Sequence, residues 1–332
     1  MEYHLIPMLL CLCMVGSDAA ASSSCMLTMY WNTKLPNTAM PPAIKNSLPT
    51  AAATAWSSSF AKEFQSLNSV IIYRHNATEN EFHDNSGVSL FFKPAALHKG
   101  NADGMTLRLS TPANGPVFLP RTESEKIPFS SREIPRILDR FSVKPDSDEA
   151  REMKKTIKEC EEPPVKGEEM QCATSLESMV DFAISMMQGR QGKKIVRAVS
   201  TETVAGETSF FQNYSVSGVE KMNEEGDGVM VCHKQSYGYA VFHCHKSETT
   251  DAFEVSLVGA NGAQVKAAAV CHKDTSGWNP NHLAFQVLKV KQGTDEPVCH
   301  FLPENHVVWY AKNCMGDVFP QLNVLRTSAR PA

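Results

Sequence analysis

Between residues 120 and 190 the apolar positions recur at three- and four-residue intervals, which predicts three helices. The first and third open on capping-box patterns, Ser130 with Glu133 and Thr174 with Glu177. The second helix is expected over residues 147–161. One face of each helix should therefore lie in a core. The apolar positions of that face are Ile134, Ile137, Leu138, Phe141, Met153, Ile157, Leu176, Met179, Val180, Ala183 and Met187.

From Lys194 onwards the pattern changes to short runs rich in β-branched and aromatic residues, separated by Gly, Asn and Asp. This sequence pattern predicts β-strands in a mostly antiparallel region. The fold class is then α+β, with a helical N-terminal half of the domain packed on the β region. The predicted strands are 88–92, 195–199, 229–232, 239–244, 253–258, 265–271, 283–290 and 306–310.

The N-terminus has the pattern of a secretory signal peptide, predicted over residues 1–20. An apolar run, Leu5 to Val15, is followed by small residues at a plausible cleavage site near Ala20, although the segment before it carries no Lys or Arg. The alternative is a buried N-terminal helix. No other segment is long enough to span a bilayer. We expect a protein without a membrane anchor after cleavage, secreted to the apoplast or cell wall, or vacuolar.

The rest of the chain divides into three parts. Residues 21–87 are rich in Ala, Ser, Thr, Asn and Pro, and the prolines of 35–42 exclude a long helix or a central strand there. This part is expected to be an irregular linker or leader with a short helix over 56–64. A single domain is expected over 88–312, and a tail over 313–332. The net charge of −4 shows no basic field, so nucleic acid is not an expected partner.

Eight cysteines remain once the signal peptide has been removed, which permits a full set of disulfides in an oxidising compartment. The sequence leaves the pairing open, with one exception. Cys160 and Cys172 flank a short segment with two prolines and a glycine that can fold back, so we predict that they pair. The sequons at Asn76 and Asn213 are candidate glycosylation sites in the same compartment.

Four Cys-His dipeptides form the strongest motif in the chain. They are separated by ten, twenty-five and twenty-six residues, and neither Cys-x-x-Cys nor paired-histidine zinc spacing accompanies them. Because neighbours on a strand point to opposite faces, the thiols should gather on one side of a sheet and the imidazoles on the other. The dipeptides are Cys232-His233, Cys244-His245, Cys271-His272 and Cys299-His300.

Two interpretations of the motif remain open. Disulfides among the four cysteines would draw the strands together, and the four histidines would then form a copper or zinc site, with Cu(II) favoured by nitrogen ligands. Alternatively, the histidines only form hydrogen bonds in a core. His243 should share a face with His245, and both His243 and His282 are candidate additional ligands, although a solvated or hydrogen-bonded role is the first expectation for each.

The spacing of the four dipeptides resembles the defining motif of the plant BURP domain, and the resemblance covers roughly residues 25 to 312. Cys25 and Cys314 lie outside the domain, and either a bond between them or two free thiols is compatible with the sequence. Further matching stretches are Tyr30-Trp31, Leu35 to Pro41, Phe91-Phe92, Leu97, Gly100, Met105, Leu107, Ile127 to Ser131, Phe141 to Val143, Gly167-Glu168, Thr174 to Met179, Cys299 to Pro303 and His306 to Trp309.

The resemblance implies two functions. Members of this family are secreted or vacuolar plant proteins that act in seeds, stress responses and pollen walls. One is a non-catalytic partner of a pectin-degrading enzyme, and others are copper-dependent peptide cyclases that crosslink Tyr or Trp side chains in their own chain. The first hypothesis is a non-enzymatic protein of the cell wall, apoplast or vacuole, with a cell-wall polysaccharide or wall protein as partner and a histidine copper site. The second is an autocatalytic copper-dependent cyclase.

A cyclase of this kind carries a short core peptide, often repeated, with a Tyr or Trp near its end. The aromatic candidates ahead of the domain are Tyr30, Trp31, Trp56 and Tyr73, and none of them lies in a repeat. The sequence therefore favours the non-enzymatic function. A cysteine hydrolase is not indicated, because adjacent Cys and His on a strand point apart and cannot form a nucleophile–base pair.

Overall fold

The computed structural model describes residues 19–50, 91–100, 104–109, 115–188, 194–208 and 211–313. The helices are α1 Ala19–Lys34, α2 Pro42–Lys45, α3 Arg121–Ser124, α4 Ile134–Arg140, α5 Asp148–Glu161, α6 Leu176–Met187 and α7 Leu283–Leu288. The strands are β1 Met105–Leu107, β2 Glu168–Ala173, β3 Lys194–Val199, β4 Glu202–Ala205, β5 Gln212–Lys221, β6 Val229–Gln235, β7 Val241–Ser247, β8 Thr250–Gly259, β9 Gln264–His272, β10 Val298–Phe301 and β11 Val307–Asn313. The predicted α+β class is confirmed.

Two antiparallel sheets form the centre of the molecule. The first has the order β1-β5-β8-β9-β10, with β4 also paired to β9, and the second has the order β2-β7-β6-β11-β3. Their inner faces share one buried apolar cluster, so the sheets pack face to face. Its members are Met222, Val229, Val231, Ala252, Ala268, Val270, Leu302, Val308 and Tyr310.

Helices cover the outer face of the second sheet. α1, α2 and α6 pack on it through an apolar cluster that includes Leu27, Trp31, Leu176, Phe242 and Trp309. α4 and α5 pack against the turn between β6 and β7, where two tyrosines are buried. In the described part of the chain, no helix combines the length and the apolar character that crossing a membrane requires.

The linker predicted over 21–87 is not irregular in its described part, residues 21–50, because α1 and α2 pack there on the second sheet, so the prediction is wrong for this part. Trp31 of α1 is completely buried, with its ring centroid 5.5 Å from that of Trp309, and its indole N–H donates to the carbonyl of Thr38 at 2.8 Å. Thr38 in turn donates to the carbonyl of Val196. The sequence pattern did not predict this helix because only a few of its residues form the buried face. Packing of that face on the sheet stabilises the helix. The short helix predicted over 56–64 lies outside the described residues.

The three predicted helices are present as α4, α5 and α6. The capping box of α6 begins one residue later than predicted: Ser175 and Ser178 each accept the other's backbone N–H at 3.1 Å. Glu177 instead accepts the backbone N–H of Arg121 at 3.1 Å and so joins α6 to α3.

The segment predicted as a strand over 283–290 is a helix, α7, so this prediction is wrong. His282 caps it by accepting the N–H of Ala284 at its Nδ1 atom. A short apolar run fits a buried strand and a buried helix equally well, and here the cap decides between them. The strands predicted over 195–199, 229–232, 239–244, 253–258, 265–271 and 306–310 are confirmed as β3, β6, β7, β8, β9 and β11. Of the strand predicted over 88–92, Phe92 forms an isolated bridge with Cys299, and residues 88–90 are not described.

Candidate metal centre

Two disulfides join the cysteines of the four Cys-His dipeptides. Cys232 and Cys244 lie directly opposite each other on β6 and β7, and Cys271 and Cys299 do so on β9 and β10. The Cα atoms of each pair are 4.0 Å apart. The strand register thus decides the pairing that the sequence left open, and each sheet receives one covalent link between neighbouring strands.

The predicted bond between Cys160 and Cys172 is also present, with a Cα separation of 5.6 Å. It joins the end of α5 to β2. Gly167 supplies the turn between them at a φ of +88°, a value that a residue with a side chain adopts only with strain. Cys25 lies half-buried on α1, outside these three bonds, and Cys314 is outside the described residues.

Strand alternation separates sulfur from imidazole, as the motif predicts. The motif cysteines point into the apolar clusters on the outer faces of the two sheets. The histidines point inward and continue the layer between the sheets, so they meet although they span nearly seventy residues. Their exposed fractions are only 2–7%. We refer to these four side chains as the histidine cluster: His233, His245, His272 and His300.

The histidine cluster consists of two close pairs. The Nε2 atoms of His233 and His245 are 3.2 Å apart, and those of His272 and His300 are 3.4 Å apart. Between the pairs, ring centroids are separated by 6.5 Å for His245 and His272 and by 6.4 Å for His233 and His300. The interplanar angles within the pairs are 14° and 18°. The four rings thus form two pairs, and the Nε2 atoms of each pair face each other.

Every Nδ1 atom of the cluster has a polar atom close behind it. Three of these groups are side chains that the sequence did not identify as part of the site. In the sequence, His306 could have been identified by its position soon after the last Cys-His dipeptide, and Glu168 by its position between Cys160 and Cys172. No sequence feature pointed to Thr250. The partners are His306 Nδ1 for His233 at 3.0 Å, a Glu168 carboxylate oxygen for His245 at 3.3 Å, Thr250 Oγ1 for His272 at 3.1 Å and the Phe301 carbonyl for His300 at 3.2 Å.

The carbonyl of Phe301 can only accept a hydrogen bond, so it requires a proton on Nδ1 of His300. The Nε2 atom of His300 therefore presents a lone pair to its partner His272. His233 and His272 face groups that both donate and accept, so they are able to adopt either tautomer.

Burial keeps the imidazoles of His233, His300 and His306 neutral. Loss of hydration lowers the pKa of His300 and of His306 to about 3, and it holds the pKa of His233 well below its usual value. The neighbouring imidazoles act in the same direction at all three positions. Neutral imidazole is the form that binds metal ions, so His233 and His300 are in that form over the physiological pH range.

The donor set fits a soft or borderline divalent ion. Two nitrogens bound at about 2.0–2.1 Å to one tetrahedral ion lie roughly 3.3 Å apart, which agrees with both Nε2 separations. Within the described ranges, no three His, Cys, Asp or Glu side chains surround a single point as a complete metal site. The cluster is therefore two ligand pairs, and one ion bound by all four nitrogens requires the pairs to approach each other.

Aromatic side chains pack against the histidine cluster on the side of His272 and His300. Trp278 stands edge-on to His272 with centroids 5.0 Å apart, and Phe91 stands edge-on to His300 at 6.2 Å. His282 is buried against Trp278 and Phe91, and its Nδ1 is used in capping α7, in line with a hydrogen-bonded role. His243 lies opposite His233 in the strand pair, and its ring is 5.9 Å from that of His245, so it shares their face as expected.

The two candidate glycosylation sites differ in what the structure shows of them. Asn213 lies exposed on β5, opposite Thr106 of β1. Asn76 is outside the described residues. Glycosylation stays a prediction at both positions.

The chain matches known proteins over most of this domain. The family model for the BURP domain matches residues 90–311. The chain is 51% identical to BURP domain-containing protein 3 of Oryza sativa subsp. japonica over 240 residues, and 51% identical to BURP domain protein RD22 of Arabidopsis thaliana over 243 residues. Each alignment covers 72% of this chain, but only 54% and 60% of those relatives.

A further relative is aligned over most of its own length. The chain is 42% identical to BURP domain-containing protein 5 of Oryza sativa subsp. japonica over 301 residues, which covers 89% of this chain and 88% of the relative. The matched region contains all four Cys-His dipeptides and both sheets. The chain therefore belongs to the plant BURP-domain family.

Proposed function

We propose that this protein is a secreted, non-enzymatic BURP-domain protein that binds copper through its histidine cluster. It acts in the cell wall, apoplast or vacuole during development or stress responses, with a wall polysaccharide or wall protein as partner. The observation that carries the copper proposal is the pair of facing Nε2 contacts at 3.2 and 3.4 Å. Cu(II) is the ion that nitrogen ligands bind most tightly among the common divalent metals.

Secretion is supported by the cysteines and the N-terminus. Three disulfides persist only in an oxidising compartment, and the apolar run near Met1 has the length of a signal segment. The exposed side chain of Asn213 leaves its sequon accessible to glycosylation. Sequencing the N-terminus of the protein recovered from plant cells tests this part. We expect a mature chain that begins near Ala21, whereas an intact Met1 would contradict secretion by cleavage.

The placement of the leader aromatics supports a non-enzymatic protein over the cyclase. A self-modifying cyclase has to present a Tyr or Trp of its own chain to the metal. Tyr30 donates to a carboxylate oxygen of Asp181 at 2.6 Å, and Trp31 is buried against Trp309. Both residues lie on the outer face of the second sheet, whereas the histidine cluster lies between the sheets. Trp56 and Tyr73 are outside the described residues.

Metal analysis of the secreted protein tests the copper proposal. Elemental analysis after dialysis and titration with Cu(II) should give stoichiometric binding in the wild type. Binding should be lost in the double variant His245→Asn with His300→Asn, which removes one nitrogen from each pair. His98→Asn is the matched control, because His98 is exposed and far in sequence from the cluster. Wild-type protein that retains no copper, or a double variant that binds as well as the control, contradicts the proposal.

Peptide mass mapping of the same sample separates the two candidate functions. A crosslink formed within the chain removes two hydrogens and joins two residues, so it changes the mass of a Tyr- or Trp-containing peptide. We expect all such peptides to have their unmodified masses after incubation with copper and oxygen. A crosslinked peptide would establish the cyclase instead.

A further inference from the structure

Strand alternation places both polar residues of the sequon at Asn213 on a solvent-facing surface of the first sheet. Asn213 and Ser215 are exposed on β5, whereas Tyr214 between them is completely buried. The Tyr214 hydroxyl also accepts a hydrogen bond from the Gln212 side chain at 2.8 Å. Turning the strand over would expose this tyrosine, so the register of β5 holds the Asn213 side chain in solvent.

The side-chain amide of Asn213 is available for modification. It makes no hydrogen bond within the ranges that the structure describes. The amide lies over Gly104, directly before β1, and a Cβ at that position would lie 1.8 Å from Oδ1 of Asn213. The absence of a side chain at Gly104 therefore leaves the space that the amide occupies. A new bond at Nδ2 would break no side-chain contact of the folded chain.

An exposed aromatic ring lies two residues before Asn213. Phe211 directly precedes β5 and is 38% exposed. By strand alternation its side chain shares the face of Asn213, at a separation of about 7 Å along the strand. The guanidinium of Arg108 lies over the Phe211 ring, 5.8 Å from its centroid, and restrains the ring from that side. Covering the rest of this apolar ring would stabilise the folded chain.

We infer that Phe211 and Arg108 form a platform for the first N-acetylglucosamine of a glycan on Asn213. The inference rests on the proposed secretion, because this glycan is added in the secretory pathway. In that step C1 of the sugar leaves the diphosphate of a lipid-linked oligosaccharide and bonds to Nδ2 of Asn213, which gives up one proton. Ser215 supplies the hydroxyl of the sequon. The C–H groups on one face of the sugar then pack on the Phe211 ring.

The platform gives the glycan a role at the edge of the first sheet. Among the described residues β1 is the edge strand next to β5, and it is only three residues long. Such an edge is open to pairing with a strand of another copy. A glycan that packs on Phe211 stays close to this edge, so it should stabilise the folded domain and keep a second copy away.

Glycopeptide mapping of protein secreted by plant cells tests the modification. The chain has two sequons, so Asn76→Gln leaves Asn213 as the single acceptor, and we expect a glycan there. The same variant is also produced behind a foreign signal peptide. If only the foreign signal gives secretion, the proposed secretion is wrong, and the glycan is still tested. An unmodified Asn213 in secreted protein overturns this inference alone.

Urea unfolding of the Asn76→Gln protein tests the platform, by comparing the glycosylated chain with Asn213→Gln. The glycan should raise the midpoint, and trimming it to one N-acetylglucosamine should preserve the difference. In Phe211→Ala, with occupancy confirmed by mass, the glycan should no longer raise the midpoint. Val219→Ala is the matched control and should keep the whole difference, because Val219 lies on the same strand and is also 38% exposed. A glycan that raises the midpoint equally with and without Phe211, or not at all, overturns the platform.

Discussion

Replacement of Trp31 by alanine should destabilise the whole domain. The indole is completely buried, packs 5.5 Å from the ring of Trp309 and donates to the Thr38 carbonyl at 2.8 Å. Emptying such a site removes a large apolar contact and leaves a cavity, which costs about 3–5 kcal/mol for a buried Trp. This range already includes the loss of the hydrogen bond from Trp31 to the Thr38 carbonyl. We therefore expect the free energy of unfolding to fall by about 3–5 kcal/mol in Trp31→Ala.

Urea unfolding with all disulfides intact, followed by far-ultraviolet circular dichroism, measures this change. The midpoint should fall while the slope stays unchanged, because the same surface is exposed on unfolding. Trp31→Phe should lose less, since it keeps an aromatic ring and loses the N–H donor. Met29→Ala is the matched control on the same helix: Met29 is 49% exposed, and its replacement should stay within about 0.5 kcal/mol.

A small effect in Trp31→Ala would refute the reasoning. A loss below about 1 kcal/mol lies outside the range for a buried aromatic residue. Helix α1 would then be an accessory segment, and the cluster it forms with the second sheet would contribute little to the stability of the domain.

Two further predictions concern stability. Removing the bond between Cys160 and Cys172 by changing both residues to serine should lower the free energy of unfolding by about 2–3 kcal/mol on the chain-entropy model; an unchanged urea midpoint would exclude this contribution. The stability should also fall with acidification below about pH 6.5, because unfolded histidines take up protons there, whereas His300 has a pKa of about 3 in the folded state. Each histidine that remains neutral in the folded state adds about 1.4 kcal/mol per pH unit to the slope of the free energy of unfolding against pH. A free energy of unfolding that stays constant between pH 6.5 and pH 5 would contradict the buried neutral state. A slope in His300→Asn equal to that of the wild type would contradict it as well.

Local periodicity in the sequence determined a large part of this fold. Apolar spacing of three and four residues is enough to predict α4, α5 and α6, because the helix places those positions on one face. β-branched and aromatic runs predict six strands for the same kind of local reason. The four Cys-His dipeptides go further: a strand period of two requires sulfur and imidazole on opposite faces, and this holds in both sheets.

Local pattern failed where a segment depends on its surroundings. The buried face of α1 is short, and it is stabilised only when Trp31 packs against the ring of Trp309. The apolar run that begins at Leu283 fits two kinds of element, and the hydrogen bond from the Ala284 N–H to His282 decides for the helix. In both cases the contact that determines the secondary structure is not part of the periodic spacing of apolar residues.

The candidate site shows the same division. The sequence determined which four imidazoles share the inner faces, because that follows from alternation along each strand. Only the tertiary structure decided that the motif cysteines face their partners across β6–β7 and β9–β10, since register is a relation between strands. It also brought His306, Glu168 and Thr250 next to the imidazoles of the histidine cluster. These residues come from three other segments, and no local spacing encodes a contact that exists only when two sheets pack together.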